Sequence, residues 1–189
     1  MVDRATLPPR IILWNQLIRK SVTLPMPPSL QETKPLPPFV FGFGAHPTTH
    51  EYMLVFILYE WVDVKQQKFT SKVELYTQGT GSWRSIASVG HPHLIAHFGC
   101  LQAVVHGAIH WIALERGAGD GLSSLIMSFN MGSQAFSQIL MLATLVIKSS
   151  LGLSILSYRE SLAVLCHGRE DSCGMWVMKE YGVAESWAK

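Results

Sequence analysis

Three histidines, His91, His93 and His97, stand in the spacing His-x-His-x3-His, and grouped imidazoles are common zinc ligands. A closed site needs a fourth donor, and no neighbouring cysteine or carboxylate completes a convincing tetrahedral set. With Pro92 between two of them, they read as ordinary histidines of a connecting loop, and no metal or cofactor is expected. Cys166 and Cys173, even with His167 and His110 in the same chain, lack the local signature of a nucleophilic thiol and read as buried or edge-strand cysteines. Gly117-Ala118-Gly119-Asp120-Gly121 has the look of a phosphate-binding glycine loop. It lacks the following Gly-Lys-Ser/Thr and the helix whose N-terminus would face the anion, so a hairpin loop is the simpler reading. No serine stands with a histidine and an acid at a recognisable spacing. No catalytic, cofactor-binding or metal-ligating residue is therefore assigned, and the chain is not expected to be an enzyme.

The remaining chemistry is aromatic. Trp14, Trp83, Trp111, Trp176 and Trp187 could form a platform for sugars or bases, but they recur at related points of a repeat, which predicts packing between repeated units. The elements that carry them are strands. Glu51–Trp61, Lys72–Thr77, Ala103–Leu114, Leu125–Asn130 and Ser161–His167 are rich in β-branched, aromatic and aliphatic residues. Clusters of Gly, Ser, Asn and Asp separate them, and no amphipathic helix has clear start and stop signals. His106-Gly107, between Val104-Val105 and Ala108-Ile109, predicts a two-residue hairpin turn, and a second turn is expected near Tyr158-Arg159-Glu160. The prolines between Pro25 and Pro38 predict an extended surface connection.

A weak repeat organises these strands. Each unit is a short apolar strand ending in an anchor residue, a polar turn, and a second strand closing on an aliphatic residue. Trp14 to Leu24, Tyr76 to Ile86 and Phe129 to Ile139 each span ten positions, and Met175–Met178 with Glu185–Lys189 form a fourth copy with a longer turn. Closing residues lie 62 and then 53 positions apart, a period that suits four-stranded propeller blades. The fold expected is all-β, a partial kelch-like β-propeller of about three and a half blades of antiparallel strands. An open sandwich of hairpins is the plainer alternative.

Composition narrows the function. Of 189 residues, 48% are apolar and 15% charged, so a packed core is expected rather than disorder. Net charge is +2 with no concentrated basic face, which argues against nucleic acid and membrane-surface binding. Three cysteines and an opening without a signal-peptide core predict an intracellular protein, cytoplasmic or nuclear, with reduced thiols. Ile139–Leu156 is apolar, yet Lys148, Ser149, Ser150 and Gly152 interrupt it. Two buried strands around a Lys-Ser-Ser corner are expected there, not a membrane span.

Leu13-Trp14-Asn15 with Arg19-Lys20 and Leu24-Pro25 resembles the opening of plant F-box-associated domains, with Gln16 in place of the usual proline. Phe41-Gly42-Phe43-Gly44 followed by Glu51–Val55 is similar to a second family segment, and Val73–Tyr76 with Ser82-Trp83-Arg84 to a third. His106–Ala113 and the closing Trp176–Val183 with Glu185-Ser186-Trp187 resemble two more. The resemblance implies a short N-terminal segment over 1–12 and an F-box-associated domain over 13–189, incomplete at its C-terminus and without an F-box. It implies a protein-binding module like the substrate-recognition domain of a Skp–cullin–F-box (SCF) ubiquitin ligase adaptor. The partner would be a target protein for ubiquitination, and a Skp-type adaptor only if an F-box lies upstream. Open sheet edges would favour self-association. A truncated product without independent ligase function and a carbohydrate-binding propeller are the alternatives. The sequence does not identify the residues that touch a partner.

Overall fold

The computed structural model describes residues 2–3, 10–31, 37–63, 68–86, 94–96, 102–116, 122–146, 152–167 and 173–189. Runs of β-branched and aromatic residues pair as antiparallel strands in four sheets that follow one another along the chain. The first sheet holds β1 (Val2–Asp3), β2 (Arg10–Asn15) and β3 (Lys20–Leu24). The second holds β4 (Phe39–Ala45), β5 (Tyr52–Asp63), β6 (Lys68–Thr77) and β7 (Ser82–Ile86). In the third, β8 (Leu94–Ala96) and β9 (Ala103–Val105) share one edge of β10 (Ala108–Arg116), followed by β11 (Leu122–Asn130) and β12 (Ala135–Ile139). The fourth holds β13 (Leu153–Tyr158), β14 (Ser161–His167), β15 (Cys173–Met178) and β16 (Trp187–Ala188).

The repeat read from the sequence is the last strand pair of each sheet. Ile11 faces Leu24, Val73 faces Ile86 and Ile126 faces Ile139, so three pairs close in the same register. Tyr76 faces Trp83, Phe129 faces Phe136 and Met178 faces Trp187 at the equivalent cross-strand position. Both expected hairpin turns form. His106 (φ 49) and Gly107 (φ 70) join β9 to β10, and Arg159 (φ 46) and Glu160 (φ 66) join β13 to β14. Two consecutive positive-φ residues give the turn whose twist matches the flanking strands. Arg159 and Glu160 adopt it without a glycine, at some conformational cost.

The core lies between sheets, and alternation along each strand divides it. From β5, Met53, Val55, Ile57 and Tyr59 point toward the third sheet, where Ile109, Trp111, Met127 and Phe129 meet them. The intervening Leu54 packs with Ile11 and Leu24 of the first sheet, and Phe56 and Leu58 pack with Leu30. On the other face of the third sheet, Ile112 and Ile126 pack with Leu153, Ile155, Leu162 and Val164 of the fourth. Central strands are thus covered on both faces, which is why β5 reads as one continuous apolar run. Each fully buried side chain of this kind contributes about 1.5–3 kcal/mol.

Specific contacts fix how neighbouring sheets sit. Trp111 is buried against Gly42 of β4, and its indole N–H donates to the Phe41 carbonyl at 3.1 Å. A Cβ at Gly42 would overlap the Trp111 ring and lie 3.1 Å from Ile109 Cγ2. Gly44 makes the same accommodation for Met131. Phe41-Gly42-Phe43-Gly44 therefore alternates a ring side toward the first sheet with a bare side toward the third. Two further indoles reach a carbonyl just beyond the last strand of the preceding sheet: Trp83 donates to Pro25 O at 2.7 Å and Trp187 to Leu140 O at 3.3 Å. Phe136 occupies the equivalent place in the third sheet and has no N–H to give.

Three expectations need correction. The proline segment is not simply an extended surface strap, because Pro28–Gln31 forms a helical turn (α1) with Pro28 at its first position, where a missing N–H is harmless. Ser29 and Leu30 are buried, and Ser29 donates from N (3.2 Å) and Oγ (2.8 Å) to the two carboxylate oxygens of the buried Glu74 on β6. Ile139–Leu156 is not two strands: after β12, Ala143–Val146 turns as a helix (α2), and among the described residues that follow, β13 is the strand. Short apolar runs leave that choice to tertiary context, here the burial of Met141 and Leu145 under the fourth sheet. Trp14 is 63% exposed and so is not a core residue, whereas Trp111 and Trp187 are buried and Trp83 and Trp176 partly so. His91, His93, His97, Cys100 and Gly117–Gly121 lie outside the described residues.

Substituting Gly42→Ala is expected to destabilise the protein by about 1–3 kcal/mol, since the methyl group enters a packed seam; the urea midpoint of unfolding checks this. Glu160→Gly should instead stabilise by about 0.5–1 kcal/mol by relieving a positive φ, measured the same way.

Candidate interaction face

Because strands alternate in direction, the β2–β3, β4–β5, β6–β7, β9–β10, β11–β12, β13–β14 and β15–β16 connections fall at one end of the stack. The β5–β6, β10–β11 and β14–β15 connections and the crossovers between sheets fall at the other. The first end is described throughout and consists of short turns. Residues 16–19, 78–81 and 131–134 are equivalent four-residue turns, each ending on a positive-φ residue: Arg19, Gly81 and Gln134. Side-chain acceptors brace them. Asn15 Oδ1 takes the Leu17 and Ile18 amides at 3.0 and 3.3 Å, and Asn130 Oδ1 takes those of Gly132 and Ser133 at 2.9 Å. In the β4–β5 turn, His46 Nδ1 plays this part toward the Thr48 and Thr49 amides at 3.3 and 3.2 Å.

The turns also brace each other. The Pro47 ring stands beside Gly107 and Gly132, where added Cβ atoms would come within 3.1 and 3.3 Å of it. Glu51 accepts the Gly79 amide, and Arg84 donates to Gln134 across the seam between the second and third sheets. At the first-strand edge of that seam, Gln102 exchanges two hydrogen bonds with the Phe43 backbone.

Large apolar side chains project from this rigid rim. Leu17 and Ile18 occupy the tip of the first turn, 93% and 62% exposed, with Trp14 beside them. Phe43 and Tyr52 stack with ring centroids 5.5 Å apart while 39% and 49% exposed. Tyr158 and Tyr181 continue the row on the fourth sheet. Among the described residues of the opposite end, Val62 and Leu140 are the exposed large apolar side chains. Exposed aromatics on one face of a rigid scaffold are what protein-binding surfaces present.

One part of the face reaches into the core. The turn after β15 is closed by Ser186, whose Oγ accepts the Glu180 amide at 3.0 Å and donates toward the Glu180 and Val183 carbonyls at 2.8 and 2.7 Å. That turn holds Tyr181 edge-on to His106 and His110, with its hydroxyl 2.8 Å from His110 Nε2. His110 Nδ1 lies 3.4 Å from the Ala103 carbonyl, which can only accept, so Nδ1 carries the proton and Tyr181 donates to Nε2. Burial pushes the His110 pKa down to about 4, with His106 adding to the fall and backbone hydrogen bonds opposing it. Burial likewise raises the Tyr181 hydroxyl above its ordinary value. No sequence signal joins His110 to Tyr181, 71 positions away.

Among the described residues no three His, Cys, Asp or Glu side chains gather as a metal would require, and no helix is long and apolar enough to cross a membrane. Cys166 is buried against the fourth-sheet core and Cys173 is exposed, and they are not bridged to each other.

Antiparallel sheets stacked in chain order, each closing on an aromatic-rich strand pair, are the blades of a β-propeller-type domain. A family model for the F-box associated β-propeller domain matches residues 5–189, and the chain belongs to that family. Its curated relatives include an F-box/kelch-repeat protein of Arabidopsis thaliana, 24% identical over 181 residues, with 95% of this chain and 46% of that protein covered. An F-box protein of the same plant is 24% identical over 205 residues, covering 95% of this chain and 45% of its own length. The chain thus spans less than half the length of the relatives it matches.

Stability should fall between pH 6.5 and 4. The unfolded imidazole binds a proton near 6.5 and the folded one only near 4, so His110 contributes fully above 6.5 and loses that contribution on acidification. The whole effect is about 3 kcal/mol. Urea midpoints at pH 7 and pH 4.5 should differ less in His110→Gln than in the unaltered protein.

Proposed function

We propose that this chain is a non-catalytic target-recognition module of the kind that serves an SCF-type ubiquitin ligase adaptor in the cytoplasm or nucleus. Membership in the F-box associated family supports the role, and the single observation that carries it is the braced turn face with its exposed aromatic row. Propeller turns can vary in side chain without disturbing the blades, which is how one scaffold takes different targets. The printed names of the relatives are those of F-box proteins, and a ligase role for this chain requires an F-box supplied in the same polypeptide or by an associated one.

The test is affinity capture of the tagged chain from plant cells treated with a proteasome inhibitor, compared with a Tyr52→Ala/Tyr181→Ala variant. The reading expects a small set of proteins lost from the variant, whose half-lives lengthen at least about twofold when the native gene is disrupted. Captured proteins whose turnover is indifferent to the gene would overturn the ligase role.

A further inference from the structure

We infer that the segment bound by the turn face is an acidic peptide with an aromatic or aliphatic anchor, an inference that rests on the target-binding reading above. The argument is the distribution of charge. At the turn end of the first three sheets, residues 13–22, 43–54, 75–84, 102–110 and 127–137 include Arg19, Lys20 and Arg84 together with the imidazoles of His46, His50 and His106. The same segments contain one carboxylate, Glu51, and it is already engaged by the Gly79 amide. Among the described residues, no carboxylate pairs with any of the three cations, and Arg84 is held by the neutral Gln134. Toward the other end of the same strands the pattern differs, with Glu60 neutralised by Lys72 at 3.0 Å.

A net charge of +2 conceals this asymmetry, because the fourth sheet brings three carboxylates, Glu160, Glu180 and Glu185, to the face against Arg159 and Lys179, so the cation excess belongs to the first three sheets. Arg19 and Lys20 close the turn beside Trp14, Arg84 stands on the last strand of the second sheet, and the exposed Trp14, Phe43 and Tyr52 rings of the same end supply the apolar half of the complementarity. Unpaired surface cations do little for affinity one by one, but they select against like charge, steer acidic partners and make binding sensitive to salt. An aromatic or aliphatic side chain packed on those exposed rings would supply the anchor.

The experiment is selection of a phage-displayed random peptide library on the purified 189-residue chain, followed by fluorescence anisotropy with the enriched peptides. Enriched peptides should be rich in Asp and Glu around a Trp, Tyr, Phe or Leu. Their Kd should weaken at least about tenfold in Arg19→Glu/Lys20→Glu and in Tyr52→Ala, and about fivefold or more between 50 and 300 mM NaCl. Val62→Glu, at the other end, should leave it within about twofold. Arg19 and Lys20 are exposed, so the charge-reversal variant remains decisive even if Tyr52→Ala shifts the unfolding midpoint. Enriched peptides without acidic bias, binding equally well after charge reversal, would overturn the inference and leave the target-binding reading intact. Absence of any enriched peptide would overturn both. Tighter binding of a single-stranded thymidine oligonucleotide than of any peptide would overturn the peptide assignment.

Discussion

The buried edge of the Trp111 indole on the bare backbone of Gly42 is the contact on which the rest of the stack depends. It sets how close the second and third sheets approach, and its N–H bond to the Phe41 carbonyl sets where along the strands they meet. Once that distance is fixed, Ile109, Met127 and Phe129 fall opposite Val55, Ile57 and Leu75 with no large side chain to spare. The same approach delivers Pro47 to the glycines of the two third-sheet turns. Core packing and surface shape are therefore consequences of one steric allowance, and the alternation in Phe41-Gly42-Phe43-Gly44 writes it into the chain.

The turn face is rigid for a related reason. Its turns are short, their amides are taken by Asn15, His46 and Asn130, and neighbouring turns touch. Little conformational entropy remains to be lost when a partner arrives, so exposed rings such as Phe43 and Tyr52 are already positioned. Tyr181 is tied differently, by a hydroxyl reaching a neutral histidine inside the seam. A group that is half surface and half core ties the turn face to the packing between the third and fourth sheets.

Much of this was legible in the sequence, for physical reasons that can be named. The last strand pair of each sheet repeats because its cross-strand ladder must present a large anchor to the preceding sheet and an aliphatic closing residue to the next; the register Val73–Ile86 and Ile126–Ile139 preserves the spacing. His106-Gly107 was readable because few dipeptides make that turn. The helical turn at Ala143–Val146 was not, since an apolar run of that length suits either conformation until something covers it. Trp14 deceived for the opposite reason: its place in the repeat is equivalent to Tyr76 and Phe129, but its cross-strand neighbour is Ser21 where theirs are Trp83 and Phe136, and the ring stays largely uncovered. The His110–Tyr181 pair and the one-sided charge of the turn face arise only when distant segments are brought together.

The tryptophan-to-carbonyl bonds do not all fall on the same edge of the stack. The first seam is pinned near the fourth-strand edge by Trp83 and the third by Trp187, whereas the middle seam is pinned near the first-strand edge by Trp111 and Gln102 and near the fourth-strand edge by Arg84 on Gln134. A seam clasped along both margins cannot open like a book, so the second and third sheets behave as one board and the spacing between their turns is held constant.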